Sequence, residues 1–271
     1  MKISGLNPCI LICILIVLIS SRVAMAGQNL VIAVNPTWPP MQMKEKGDIV
    51  GYEIDMLNAL ADEVGVQVCL VEVPWSTIFR GLNKGLYDAV LASVSITRAR
   101  EARYDFSDSY FTTEQLLVIP KARIQEPLMG KAIGVFKLTT GADAFRSVQK
   151  CRVTFYTVEE IEKAFSDLVK GDLSGVLCDS PVAFFYTSFQ APYPGAFTIA
   201  NEMPDGCTGF PKENYGIVVE KGNTPTLDLI NQGLRSIKAK GIDELLRKKW
   251  FPTPLDPEQR EFGGDIRSSS G

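Results

Sequence analysis

The residues best suited to chemistry lie in one segment, Ser95-Ile-Thr-Arg-Ala-Arg100-Glu-Ala-Arg-Tyr-Asp105-Phe-Ser-Asp-Ser-Tyr110-Phe. It follows the apolar run 89–93, which reads as a strand, so Arg98, Arg100 and Arg103 fall just beyond a strand's carboxyl end. Open α/β sheets bind ligands at such ends, and a guanidinium fork suits a carboxylate or phosphate. A single arginine is ordinarily a solvated surface charge; it is the setting that favours an anion clamp. Asp179, in Gly175-Val-Leu-Cys-Asp179-Ser-Pro-Val-Ala183, offers the complementary carboxylate. Taken alone, an acid before Pro181 reads as a helix cap. Trp38 and Trp75 add aromatic surface, although a tryptophan is more often buried in a core than exposed to a ligand.

The chain has no histidine, which removes Ser-His-Asp and Cys-His catalysis and most zinc chemistry. Carboxylates, lysine and tyrosine remain as catalytic groups, but the commonest general base is missing. No cofactor is expected.

The N-terminus sets the compartment. Lys2, an apolar run over 10–19, and Ala24-Met25-Ala26 together form a secretory signal with a small-x-small cleavage site. Ten apolar residues are few for a membrane span, so cleavage after residue 26 and release into the periplasm are expected, without a membrane anchor. Cleavage removes Lys2 and Arg22 and no acid, which leaves 245 residues and moves the net charge from −3 to −5. Such a chain has no general attraction to nucleic acid.

Short apolar runs alternate with helical periodicity, which predicts an α/β fold. Strands are expected over 30–34, 66–73 and 88–93. Helices are expected over 56–64, capped by Asp55 and stopped at Gly65, and over 76–84, ended by Gly85. A weak repeat at an offset of 86 residues relates Leu82-x-Lys84-Gly85 and Val90-Leu91-x-Ser93 to Leu168-x-Lys170-Gly171 and Val176-Leu177-x-Asp179. It suggests two similar lobes presenting Ser93 and Asp179 at equivalent strand ends. The apolar spacing from Leu229 to Trp250, interrupted at Gly241, predicts a pair of helices.

The segment Ser95-Ile-Thr97, two residues, Arg100, then Asp105-Phe-Ser-Asp108 and Tyr110-Phe111 resembles the signature of solute-binding proteins of amino-acid ABC importers. The ending Lys248-Lys249-Trp250-Phe251 adds to a resemblance running from about residue 30 to 251. It implies two three-layer α/β lobes of the type II periplasmic-binding-protein fold, joined by a two-strand hinge, with the ligand cleft between them. The implied division is residues 27–109 with 220–251 for lobe 1 and 115–214 for lobe 2, hinge strands at 110–114 and 215–219, and a polar tail over 252–271. The implied partners are a free L-amino acid and a membrane permease, for a monomeric protein.

The resemblance also implies roles at matching positions. Arg100 and the Ser95 N–H hold the α-carboxylate, joined by the Thr140 N–H from the loop Gly134-Val-Phe136-Lys-Leu138-Thr139-Thr140-Gly141. Leu138 stands there where the family has glycine, which puts the loop's shape, and hence Thr139 and Thr140, in question. Asp179, the Ser95 hydroxyl and the Ser93 carbonyl accept from the ammonium. Trp38 and Trp75 cover the ligand side chain, with Phe136 as a further apolar wall. Asn35 stands where relatives binding cationic side chains tend to carry an acid, so an uncharged polar or hydrophobic amino acid is expected. A dehydratase acting on prephenate or arogenate on the same scaffold, and a sensory or docking partner, are the alternative functions. Four cysteines follow the signal segment and allow three pairings. The implied layout leaves Cys69 alone in lobe 1, so one bridge at most is expected, Cys178–Cys207.

Overall fold

The computed structural model describes residues 29–145, 151–189, 193, 195–200, 210 and 212–252. The expected signal segment, Cys207 and nearly all of the expected tail lie outside them. Two five-stranded sheets organise the chain into two lobes. The first runs, in spatial order, Gln67–Glu72, Asn29–Val34, Ala89–Val90, Val218–Glu220 and Tyr104–Phe106. The second runs Arg152–Tyr156, Ala132–Phe136, Gly175–Asp179, Gln115–Pro120 and Phe197–Ile199. In each, three neighbouring strands are parallel and the fourth is antiparallel to the strands on both its sides.

The repeat in the sequence falls on equivalent elements. Helices Trp75–Leu82 and Ile161–Lys170 precede the third strand of their respective sheets, and Ser93 and Asp179 lie at or just beyond those strands' carboxyl ends. Parallel strands covered on both faces are apolar nearly throughout. In the second sheet, Ile133, Val135 and Leu177 serve one core, whereas Val176 and Cys178 serve the other. The period-two alternation of strands divides them in this way.

The helix expected over 56–64 begins earlier, at Tyr52, and Asp55 does not cap it. Gly51 has φ 143°, and a Cβ there would lie 2.1 Å from the Met41 carbonyl oxygen. This close approach lets the Pro40 and Met41 carbonyls accept from the Tyr52 and Glu53 N–H groups at 3.0 and 3.1 Å. Those donors, unpaired within any helix, need no side-chain cap. Asp55 Oδ2 instead accepts from Lys249 and from the Trp250 indole, both at 2.6 Å, which ties the C-terminal helix Ile242–Trp250 to lobe 1. Helix Thr224–Ala239 packs on the same helix Tyr52–Val64.

A short antiparallel pair, Phe111–Thr113 with Glu213–Tyr215, lies where the chain leaves the first sheet and where it returns. Cys69 and Cys178 carry free thiols; Cys207, the expected partner of Cys178, lies outside the described residues. No helix among the described residues is long and apolar enough to cross a membrane.

Candidate functional site

The carboxyl ends of the strands in both lobes face one cleft, partly open to solvent. Lobe 1 lines it with Asn35, Trp38, Trp75, Ser93, Ser95 and Arg100, and lobe 2 with Thr139, Thr140 and Asp179. Nine of the ten residues singled out in the sequence therefore share this wall. Phe136 does not line it; its ring stands behind Trp38, edge to face at 5.2 Å. Ala92 and Val158 complete the lining, and their small apolar side chains carry no chemical pattern that would have marked them.

Arg100 sits in the single-turn helix Arg98–Glu101, which starts at Thr97, whose hydroxyl accepts from the Arg100 N–H at 3.3 Å. Its Nη1 donates to the Ser95 carbonyl at 2.8 Å, and its guanidinium lies 5.7 Å from the Trp75 ring centroid. Burial pushes the guanidinium below its ordinary pKa, opposed by the charges of Glu213, Asp179 and Asp143 and by Tyr215. Arginine stays charged under such shifts. Ser95 pairs with Tyr215 in an isolated bridge closed by its neighbours, Ile96 N–H to the Asn214 carbonyl at 2.7 Å and Gly216 N–H to the Val94 carbonyl at 3.1 Å. The Ser95 N–H is thus left outside that bridge, on the side of its own carbonyl.

Asp179 is buried and makes no cap bond to the following helix, Ser180–Phe184. Its carboxylate instead accepts from the Tyr215 hydroxyl, the Gln115 amide and, at 3.2 Å, the Trp38 indole of the other lobe. Burial raises its pKa to about 6, with Glu213 adding to the rise and the three donors opposing it. Gln115 and Tyr215 had no sequence signal; only the register of the second sheet and the crossing strands brings them to Asp179.

The loop of lobe 2 carries the departure noted at Leu138, which has φ 62°, a conformation that favours glycine. The leucine is nonetheless accommodated, two-thirds exposed, and its carbonyl accepts from the Trp75 indole across the cleft at 3.2 Å. Thr139 Oγ1 donates to the Phe136 carbonyl at 2.7 Å and accepts from the Ala142 N–H at 3.2 Å. Thr140 opens the helix Thr140–Phe145, and its hydroxyl donates to Glu213 at 2.7 Å. Asn35 donates through Nδ2 to the Val73 carbonyl at 3.0 Å and to Glu159 of lobe 2 at 3.3 Å. Glu159 also accepts from the Trp75 N–H at 3.0 Å. No group of three or more His, Cys, Asp or Glu able to hold a metal ion occurs among the described residues.

Two opposite charges on different lobes, a half-buried arginine and a buried aspartate facing one cleft, are a receptor's arrangement. Residues 30–253 match the model of the bacterial extracellular solute-binding proteins, family 3. The chain belongs to that family. It is a solute-binding protein of the amino-acid ABC-importer type rather than an enzyme. A probable histidine-binding protein of Neisseria gonorrhoeae is 28% identical over 226 residues, covering 81% of this chain and 82% of that one. The structure of an ancestral arginine-binding protein bound to arginine is 30% identical, with a TM-score of 0.72, over 82% of this chain and 98% of that chain. An ancestral amino acid-binding protein, a precursor of cyclohexadienyl dehydratase, is 26% identical with a TM-score of 0.72, over 86% and 98% of the two chains. Both structures share the two-lobed type II binding-protein fold.

Proposed function

We propose that the cleft binds a free L-amino acid as its zwitterion and delivers it to an ABC permease. The observation that carries this reading is the presence of Arg100 and Asp179, one from each lobe, on the wall of a single cleft. Arg100 takes the α-carboxylate with the N–H groups of Ser95 and Thr140. Asp179 takes the ammonium with the Ser93 carbonyl and the Ser95 hydroxyl, so three donors meet three acceptors. Trp38 and Trp75 flank the side chain, Asn35 and Thr139 add polar lining, and Phe136 supports Trp38. Half of the clamp belongs to each lobe, so the contacts made only on closure are what favour closure. The chain bends at residues 110–114 and 215–219 between lobe 1 (27–109 with 220–251) and lobe 2 (115–214). After removal of residues 1–26 it works as a periplasmic monomer.

An uncharged polar or hydrophobic side chain suits the lining. Arg100 and Asp179 are the charged residues of that lining among the described residues, and the zwitterion uses both. A cationic side chain would be desolvated without an ionic partner on the wall, at substantial cost. Two observations favour a basic ligand instead: Glu159 lies one hydrogen bond behind Asn35, and relatives are named for histidine and arginine. A thermal-shift screen of the twenty L-amino acids against ligand-stripped protein tests the reading, because a ligand that binds only the folded state raises apparent stability. Stabilisation by glutamine or an apolar amino acid above that by arginine supports the uncharged preference. Stabilisation by arginine that is lost in Glu159→Gln supports the basic one. No shift with any of them refutes amino-acid binding.

A further inference from the structure

One buried acid near the cleft does not line it, yet holds a residue that does. Glu53 is fully buried in the first turn of helix Tyr52–Val64. Its Oε1 accepts from the Ser93 N–H at 2.9 Å, the Ser93 hydroxyl at 3.0 Å and the Tyr110 hydroxyl. Its Oε2 accepts from the Gln42 amide at 2.5 Å. Gln42 in turn donates to the Leu91 carbonyl at 2.5 Å and accepts from the Asn35 N–H at 3.1 Å. The carboxylate thus joins the strand end at Ser93, the loop bearing Asn35 and Trp38, and the start of the first crossing segment at Tyr110.

Ser93 has φ 50°, a left-handed conformation that costs a non-glycine residue free energy and persists only when its surroundings hold it. Both of its donors are committed to Glu53, which leaves the carbonyl as the backbone group of Ser93 available to the cavity it lines. We infer that Glu53 is a positioning residue for ligand recognition: it holds Ser93 in the left-handed conformation that turns the carbonyl toward the amino-acid ammonium. The inference rests on the proposed role of Ser93 as an ammonium acceptor. Burial of a carboxylate is costly. Its position is what that cost sustains, because a hydrophobic residue of similar size could fill the core but could not fix Ser93.

The test measures retention of a radiolabelled mixture of the proteinogenic L-amino acids by ligand-stripped protein in equilibrium dialysis. Glu53→Gln keeps the volume and removes the charge, and is expected to raise the half-saturating concentration about tenfold or more, the scale of a lost charged hydrogen bond. Glycine adopts the left-handed conformation without help. Ser93→Gly added to Glu53→Gln is therefore expected to recover several-fold of that loss, which a purely structural role for Glu53 would not allow. Glu53→Gln binding within twofold of the parent, or a double variant weaker than Glu53→Gln alone, overturns the inference. Should Glu53→Gln fail to fold, Ser93→Ala and Ser93→Gly with Glu53 intact decide the matter: the glycine variant must bind more tightly than the alanine variant, and the reverse order overturns the inference. A parent protein that retains no label refutes the amino-acid reading itself, an outcome distinct from each of these.

Discussion

The two lobes share a sheet pattern, yet they hold their halves of the cleft differently. The charged and strained residues of lobe 1 are supported from within it, Arg100 by the Ser95 carbonyl and Ser93 by Glu53, although Asn35 and Trp75 bond across to lobe 2. In lobe 2, Asp179 takes only Gln115 from its own sheet; its other donors are Tyr215 on a crossing strand and Trp38 of lobe 1. In the proposed binding mode, lobe 1 thus presents Arg100 and Ser93 already held, whereas closure completes the environment of Asp179. On that proposal, an anion site held in advance and a cation site completed around the ligand would give binding a direct way to drive closure.

The largest expected effect is at Arg100. Arg100→Ala should abolish amino-acid binding by calorimetry while the thermal transition persists, since truncating one partner of a buried charge pair costs about 2–5 kcal/mol. Asp179→Asn should weaken binding strongly but less, because the Ser93 carbonyl and the Ser95 hydroxyl still accept; losses in the opposite order would reverse the roles assigned to the lobes. The next effect is on pH. With a pKa raised to about 6 by burial, Asp179 is protonated below that value and cannot pair with an ammonium. Affinity should be full above pH 6 and fall with decreasing pH below it, approaching tenfold per unit, and Asp179→Asn should flatten this slope. For the stability of the unliganded fold the sign is opposite. A carboxyl raised from 3.8 to about 6 contributes stability that is fully present below 3.8 and lost as pH rises through 6.

Trp38→Phe removes the donor that Asp179 gains from lobe 1, and should reduce affinity by about 0.5–1.5 kcal/mol. An unchanged affinity would show that Asp179 is complete without closure. The smallest effect is expected at Leu138→Gly. It relieves a left-handed leucine, worth about 1–2 kcal/mol, against a glycine entropy cost of about 0.5–1 kcal/mol. The transition temperature should therefore hold or rise slightly, and a clear fall would mean that the exposed leucine side chain packs against something that stabilises it.

Much of the site was legible because its chemistry is written in local segments. Arg100 follows its strand and turn by a few residues, and Asp179 ends a strand of unmistakable apolar character. The repeat linking Leu82–Ser93 to Leu168–Asp179 was weak as a string of letters but falls on equivalent elements. Asp55 was misread as a cap because capping here comes from backbone carbonyls brought close by Gly51, which no side-chain pattern reveals.

The sequence by itself determined the α/β alternation, the exclusion of histidine chemistry, and the two charged residues of the proposed clamp, since each follows from residue type, local periodicity or a contiguous motif. Tertiary structure alone decided what surrounds those charges. Tyr215 lies 36 residues from Asp179 and Trp38 lies 141 away, while Glu53 reaches Ser93 across 40 residues. Contacts at such separations depend on sheet register and on how the two lobes meet, and neither is encoded in the spacing of any one segment.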